Sequence, residues 1–240
     1  MHPSHLAAPP APTLLTPVRP IRGLAITVVV LLGVTTLVDL AALVITVDRV
    51  FLLSALIEAP DTVDMVAVDC NDFLYLASAI PMTATFFTTA VVFMIWLFRA
   101  RANAQALMVL PHRRHAAWIV FGWGFPIVHL WYPRQIVDDI WITSKLGSAG
   151  FTTLGHLTLD TVRRSPLVLA WWLSWLVSMV ASAFAYSLAD GEDLPSYLLT
   201  AKIEVFFAAP SAICAALAAT VVWKITAFQE RSVFASPPAG

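Results

Sequence analysis

Charge is scarce in this chain: Asp, Glu, Lys and Arg make up 12 % of its 240 residues, where a soluble globular domain carries about 25 %. Lysine occurs three times against eleven arginines. The two cysteines, Cys70 and Cys214, are too few for a disulfide framework and fall at different predicted depths, so no bond between them is expected. The sequence has no His-Glu-x-x-His, Gly-x-Ser-x-Gly, P-loop or Cys-x-x-Cys pattern. His112 and His115 are three apart but lack a third ligand nearby, so no metal or other cofactor is expected. A net charge of −1 with no basic module argues against nucleic acid as a partner. No group of residues has the make-up of a catalytic site.

Apolar residues fill the space that charge leaves. They make up 59 % of the chain, and the mean hydropathy is +0.80. Four stretches, 24–47, 75–98, 166–188 and 203–223, are each long enough to cross a hydrocarbon core about 30 Å thick as a helix. The expected fold is therefore an all-α integral membrane protein with four transmembrane helices. The loops between them alternate in sign. Residues 48–74 and 189–204 hold ten acidic residues against Arg49 and Lys202; the remaining loops and ends hold twelve basic residues against Asp138, Asp139, Asp160 and Glu230. The positive-inside rule then puts both termini in the cytoplasm of a multi-pass protein of the plasma membrane. All nine tryptophans fall in the predicted cytoplasmic half, while Tyr75, Tyr186 and Tyr197 mark the other boundary; both groups read as interfacial belts.

Within this frame, residues 1–20 read as a disordered proline-rich cytoplasmic arm, 21–230 as one helical transmembrane domain and 231–240 as a disordered tail. The first span reads as a retained signal anchor, since its apolar core exceeds that of a cleaved signal peptide. Residues 118–131 are apolar but only fourteen long, a helical rise of about 21 Å. Gly122, Gly124 and Pro126 interrupt them, which predicts a short re-entrant or interfacial element on the cytoplasmic face. A fifth transmembrane helix is the alternative. Residues 50–59 are expected to form a short surface helix, and 134–146 another with Ile136, Val137, Ile140 and Trp141 on one face. Gly147, Gly150 and Gly155 are expected to loosen the link to the third span.

Spans pack through small and polar residues. Ala170, Ser174, Ser178 and Ser182 form one candidate seam and Ala208, Ala212, Ala216 and Thr220 another. Asp39 stands apart from these, a carboxylate inside the first span. Thr83, Thr85, Ser182 and Ser211 lie at its depth, with no second carboxylate and no histidine expected in that layer. Asp39 is either an ion or proton relay or a structural hydrogen-bond anchor.

The densest cluster of unusual residues runs from Trp96, Arg99 and Asn103 through Trp118, Trp123, Pro126, His129, Leu130, Trp131, Pro133 and Arg134 to Asp139. Arg99 and Asn103 share a helix face. Asn103 is expected to clamp backbone freed at Gly122, Gly124 and Pro126. Arg99, Arg101, Asn103, His129 and Arg134 are candidates to line a small anion or headgroup cavity. This pattern resembles a bacterial membrane family catalogued as domain of unknown function 4328. The resemblance implies several transmembrane helices and often a proline-rich amino-terminal arm; it implies no reaction. The expected role is a non-enzymatic scaffold, partner subunit or lipid- or anion-binding component. Its expected partners are membrane lipids, anionic headgroups at the cytoplasmic face, and a membrane protein or a second copy of the chain. The alternative is a small transporter or channel using Asp39.

Overall fold

A computed structural model describes residues 18–108, 110–149, 158–189, 191 and 193–235. The described residues hold helices and turns and no strand. Four helices are long and apolar enough to cross a membrane: α1 (Arg22–Glu58), α2 (Met65–Leu107), α6 (Pro166–Ala189) and α7 (Leu194–Ala235). Local chemistry sets where α2, α6 and α7 start. Asp64 Oδ1 accepts from Val66 N at 2.9 Å, Ser165 Oγ from Val168 N at 3.4 Å and Asp193 Oδ1 from Ser196 N at 3.2 Å, each satisfying a free N–H in a first turn.

Helix α1 does not stop at the membrane edge. Nothing between Asp48 and Glu58 breaks a helix, so the expected surface helix at 50–59 is instead the last three turns of α1, ended by the 3-10 turn Pro60–Thr62. Its overhang pairs with the start of α2. Arg49 bonds Asp72, and Asn71 Nδ2 donates to Ile45 O at 3.1 Å and Asp48 Oδ2 at 2.9 Å. Helix α7 likewise continues to Ala235, past the expected start of the tail. The arm lies almost wholly outside the described residues, as do Gly150 and Gly155.

Residues 118–131 contain α3 (Trp118–Gly124) and α4 (Pro126–His129), of seven and four residues. They are broken at Phe125, whose extended backbone is what a following proline requires. Even end to end they rise only about 17 Å, so the five-helix alternative fails on length. Helix α5 (Tyr132–Ser148) covers the expected 134–146 helix. It is buried on more than its apolar side, since Asp138, Asp139, Thr143 and Ser144 are as enclosed as Ile136 and Ile140. Gly147 does not loosen its end: a Cβ there would lie 2.9 Å from Leu107 Cβ. Glycine lets α5 close onto the end of α2.

Helices α1 and α7 form the middle of the bundle, with α2 packed on α1 and α6 packed on α7; among the described residues no Cα of α2 comes within 8 Å of α6. The backbones of α2 and α6 therefore stay apart along one side of the bundle. The main core lies in the arginine-rich half, around Val28, Trp96, Leu97, Val168, Trp172 and Val222. Trp96 and Trp172 are fully buried there, and Trp131 and Trp223 are among the exposed residues. Much of the expected tryptophan belt is thus protein core. The seams also differ from expectation. Ser178 and Ser211 meet across α6 and α7 at 3.5 Å, but Ala170, Ala216 and Thr220 face outward.

Candidate functional site

The acidic half of the bundle encloses a cavity of about 520 Å³, walled by all four spans. Asp39, Thr83, Ser182 and Ser211 line it together. Thr85 does not: its hydroxyl donates to Pro81 O at 2.8 Å, within its own helix. Further polar residues line the cavity, among them Tyr75 and Glu204, with Tyr75 Oη donating to Glu204 Oε1 at 2.8 Å. A second carboxylate is thus present. Counting Glu204 as a loop charge hid it, although it falls inside the fourth span; its spacing of four from both Thr200 and Ala208, on one helix face, was the available signal. Arg49 sits 4.5 Å from the centre of the Tyr75 ring, at the mouth of this end.

Asp39 makes no hydrogen bond or ion pair among the described residues, so the anchor reading finds no bond to rest on. Three hydroxyls around it are engaged elsewhere, Thr36 to Leu32 O at 2.9 Å, Thr46 to Ala42 O at 3.1 Å and Ser182 to Ser178 O at 3.0 Å.

The second cluster, at the arginine-rich end, is dispersed rather than gathered. Asn103 is not a clamp on the broken element. It exchanges two hydrogen bonds with the backbone of Arg19, at 2.9 and 2.7 Å, and donates to Gln229 Oε1 at 3.1 Å. Gln229 Nε2 in turn donates to Ala100 O and Ser144 Oγ, both at 2.8 Å. This network ties the start of α1 to the ends of α2 and α7 and to α5, and Trp96 Nε1 adds a bond to Thr226 Oγ1 at 3.3 Å.

His129 lies apart from it. Its Nε2 accepts from Trp175 Nε1 at 3.1 Å, and its Nδ1 is 3.1 Å from Trp123 O. An indole only donates and a carbonyl only accepts, so the proton sits on Nδ1 of a neutral ring. Trp123 stands edge-on to Trp172 and Trp175, with ring centres 6.0 and 5.7 Å away. Pro126 opens α4, and Pro133 and Trp131 flank the start of α5, Pro133 buried and Trp131 exposed.

Arg99 is exposed. Arg134 lies 3.6 Å from Asp138. Asp139 takes Arg113 N at 2.9 Å and Arg113 Nε at 2.7 Å. Arg101 is buried, bonding Arg114 O, with Nε and Nη1 unpartnered. Of the five candidates for an anion cavity, Arg101, Asn103, His129 and Arg134 thus have separate partners, and Arg99 is exposed. Burial pushes Asp138 up to about 6, against Arg134, the Ser165 backbone, Arg113 and Arg164. Burial, with Arg101 and Arg113 beside it, pushes His112 down to about 3. Its Nε2 is 3.1 Å from Thr143 Oγ1.

Four apolar helices, a broken element closing one end and a polar cavity within the spans define a multi-pass α-helical membrane protein. The chain belongs to the family described as domain of unknown function (DUF4328), whose model matches residues 59–227. That match takes in α2 to α6, nearly all of α7 and every cavity wall except α1. No curated protein and no solved structure matches the chain.

Proposed function

We propose that this protein is a non-enzymatic binding component of the membrane, which holds a small organic cation in the cavity of its acidic half. The observation that carries this reading is Asp39: a carboxylate inside a span, facing a cavity of about 520 Å³ and bonded to nothing among the described residues. That volume lies in the range of ordinary ligand pockets, about 300–1,000 Å³. A charge at this depth is costly unless it is paired. Glu204 on α7 adds a second negative group, and apolar walls such as Leu43 and Phe207 suit a ligand with carbon around its charge. Among the described residues the cavity lining holds carboxylates and hydroxyls but no serine or threonine hydroxyl bonded to a carboxylate, which supports binding over catalysis.

In this reading the arginine-rich end is cytoplasmic, the acidic end lies outside, and the membrane is a bacterial plasma membrane. A second reading, transport of the same cation, is favoured by Pro81 and Pro210, which interrupt two of the four walls beside the cavity. Transport requires the apolar layer around Val28, Trp96 and Leu97 to open.

The test is equilibrium binding of tetraethylammonium to the full chain in phosphatidylcholine nanodiscs. One saturable site is expected, weakened at least tenfold in Asp39→Asn with the melting temperature retained. Equal binding by wild type and Asp39→Asn overturns the assignment. Uptake of the cation into proteoliposomes would decide for transport.

A further inference from the structure

The side of the bundle left open between α2 and α6 is filled to different heights along its length. In the arginine-rich half, aromatic rings bridge it: Phe93 lies 6.3 Å from Trp171, and Trp123 of the broken element wedges between Phe93, at 6.4 Å, and Trp172. The last rung is Phe86 against Trp175, nearly parallel at 6.4 Å. Towards the acidic end from Phe86, the cavity lining of α2 includes the small Ala79 and Thr83 beside the larger Leu76 and Met82. Ala79 and Thr83 line the cavity from one side, Ser178 and Ser182 from the other, and no ring contact or hydrogen bond joins these two pairs among the described residues. The gap lies beside the carboxylate cavity at a level where Ile80 and Val180 are exposed, 74 % and 62 %, as lipid-facing residues are.

We infer that the ligand of this cavity is a membrane-dissolved amphiphile, a long-chain amine or quaternary ammonium whose head passes sideways between α2 and α6 to Asp39 while its tail stays in the lipid. This rests on the cation-binding reading above and adds the route and the tail. The geometry requires a ligand of two parts. The cavity supplies charge to pair with the head, and the slot gives out onto hydrocarbon, where a chain of methylenes stays out of water while the head is bound. The broken element is the floor of the slot. It closes the gap with Trp123 and His129 where an open groove would let the head slide past Asp39 to the arginine-rich end. A wholly water-soluble cation has no use for such a slot, and an anionic lipid meets two carboxylates behind it.

The experiment compares dodecyltrimethylammonium with tetraethylammonium on the full chain in phosphatidylcholine nanodiscs, subtracting uptake by empty discs. The slot is closed by a bifunctional maleimide that bridges Thr83→Cys and Ser182→Cys on a Cys70→Ser background, because the Cα atoms of α2 and α6 lie more than 8 Å apart, too far for a disulfide; the uncross-linked double variant and melting curves control for folding. Saturable binding of the long-chain cation is expected, at least tenfold weaker in Asp39→Asn and slowed at least tenfold by the cross-link, with tetraethylammonium binding still weakened by Asp39→Asn. Full-rate binding of the long-chain cation with the slot closed overturns the lateral route and leaves the cation cavity standing. Failure of both cations to bind the wild-type protein overturns both readings. Long-chain binding that ignores Asp39→Asn overturns the pairing of head and carboxylate. Should the cross-linked form melt below the wild type, Ser182→Phe, which narrows the slot from one side, must give the same slowing, and its absence counts equally against the route.

Discussion

Two buried titratable side chains at the arginine-rich end pull stability in opposite directions with pH. Asp138 titrates near 6 in the fold and near 3.9 when unfolded. The folded chain therefore binds the proton first, and the cost of burying the carboxylate, full above pH 6, is relieved as pH falls towards 4. His112 is the reverse case, near 3 in the fold against about 6.5 unfolded. The unfolded chain binds that proton first, so stability is lost as pH falls below 6.5. By pH 5 each effect is on the order of 1–2 kcal/mol, and they offset one another. In Asp138→Asn only the His112 loss remains, so the melting temperature should fall more steeply than wild type between pH 7 and pH 5. His112→Gln should reverse the slope relative to wild type. Parallel curves for all three proteins would show that neither group is as enclosed as its contacts require. None of this was legible in the sequence, where His112 reads as a loop residue beside arginines; only the fold puts Thr143, Arg101 and Arg113 around it.

Among the elements, helix existence was legible and helix extent was not. Hydropathy marks where a chain is apolar enough for lipid, and it found all four spans. It cannot see that α1 and α7 continue as helices into polar sequence, because protein contacts there replace lipid. The small residues of α6 and α7 were misread for a related reason: periodicity gives a face, and only packing says which face is buried. Gly147 shows the cost of reading composition alone. Replacing a glycine within a helix by alanine ordinarily stabilises, by up to about 1 kcal/mol in the interior and less in a last turn such as that of Gly147. At Gly147 the new Cβ meets Leu107 Cβ at 2.9 Å, and the Leu107 carbonyl carbon at 3.6 Å stands behind it, so the α2–α5 joint must shift. Overpacking of this kind costs about 1–3 kcal/mol. Gly147→Ala should therefore lower the melting temperature, while Gly124→Ala, with nothing within 4 Å of its Cβ, should leave it unchanged or raise it. Equal effects of the two would mean that the joint is slack. Asn103 belongs to the same lesson. The sequence marked it as a polar residue in need of a partner, but the partners, Arg19 and Gln229, lie 84 and 126 residues away, beyond any local pattern.

At the scale of the whole molecule, the two ends differ in construction as well as in charge. The arginine-rich end is a platform in which α3, α4 and α5 pack under the spans and a hydrogen-bond network joins the start of α1 to the ends of α2 and α7. The acidic end is a helical hairpin of α1 and α2 above a cavity, fastened by Arg49, Asp72, Asn71 and Asp48. In the proposed reading, a cation that passes between α2 and α6 meets Asp39 in the carboxylate half, and the sealed half separates it from the platform. Which end faces the cytoplasm therefore decides on which side the cavity stands. In the proposed reading the platform faces inside, on the strength of a charge bias of twelve basic residues against two. The protein carries its own reporter of this, since Cys70 is exposed on the acidic hairpin and Cys214 is buried in α7. A membrane-impermeant maleimide applied to intact cells should label the wild-type chain once, and Cys70→Ser should abolish the labelling. Labelling of Cys70 only after the membrane is opened would turn the molecule over, putting the cavity on the cytoplasmic side and the arginines outside against the bias that orients them.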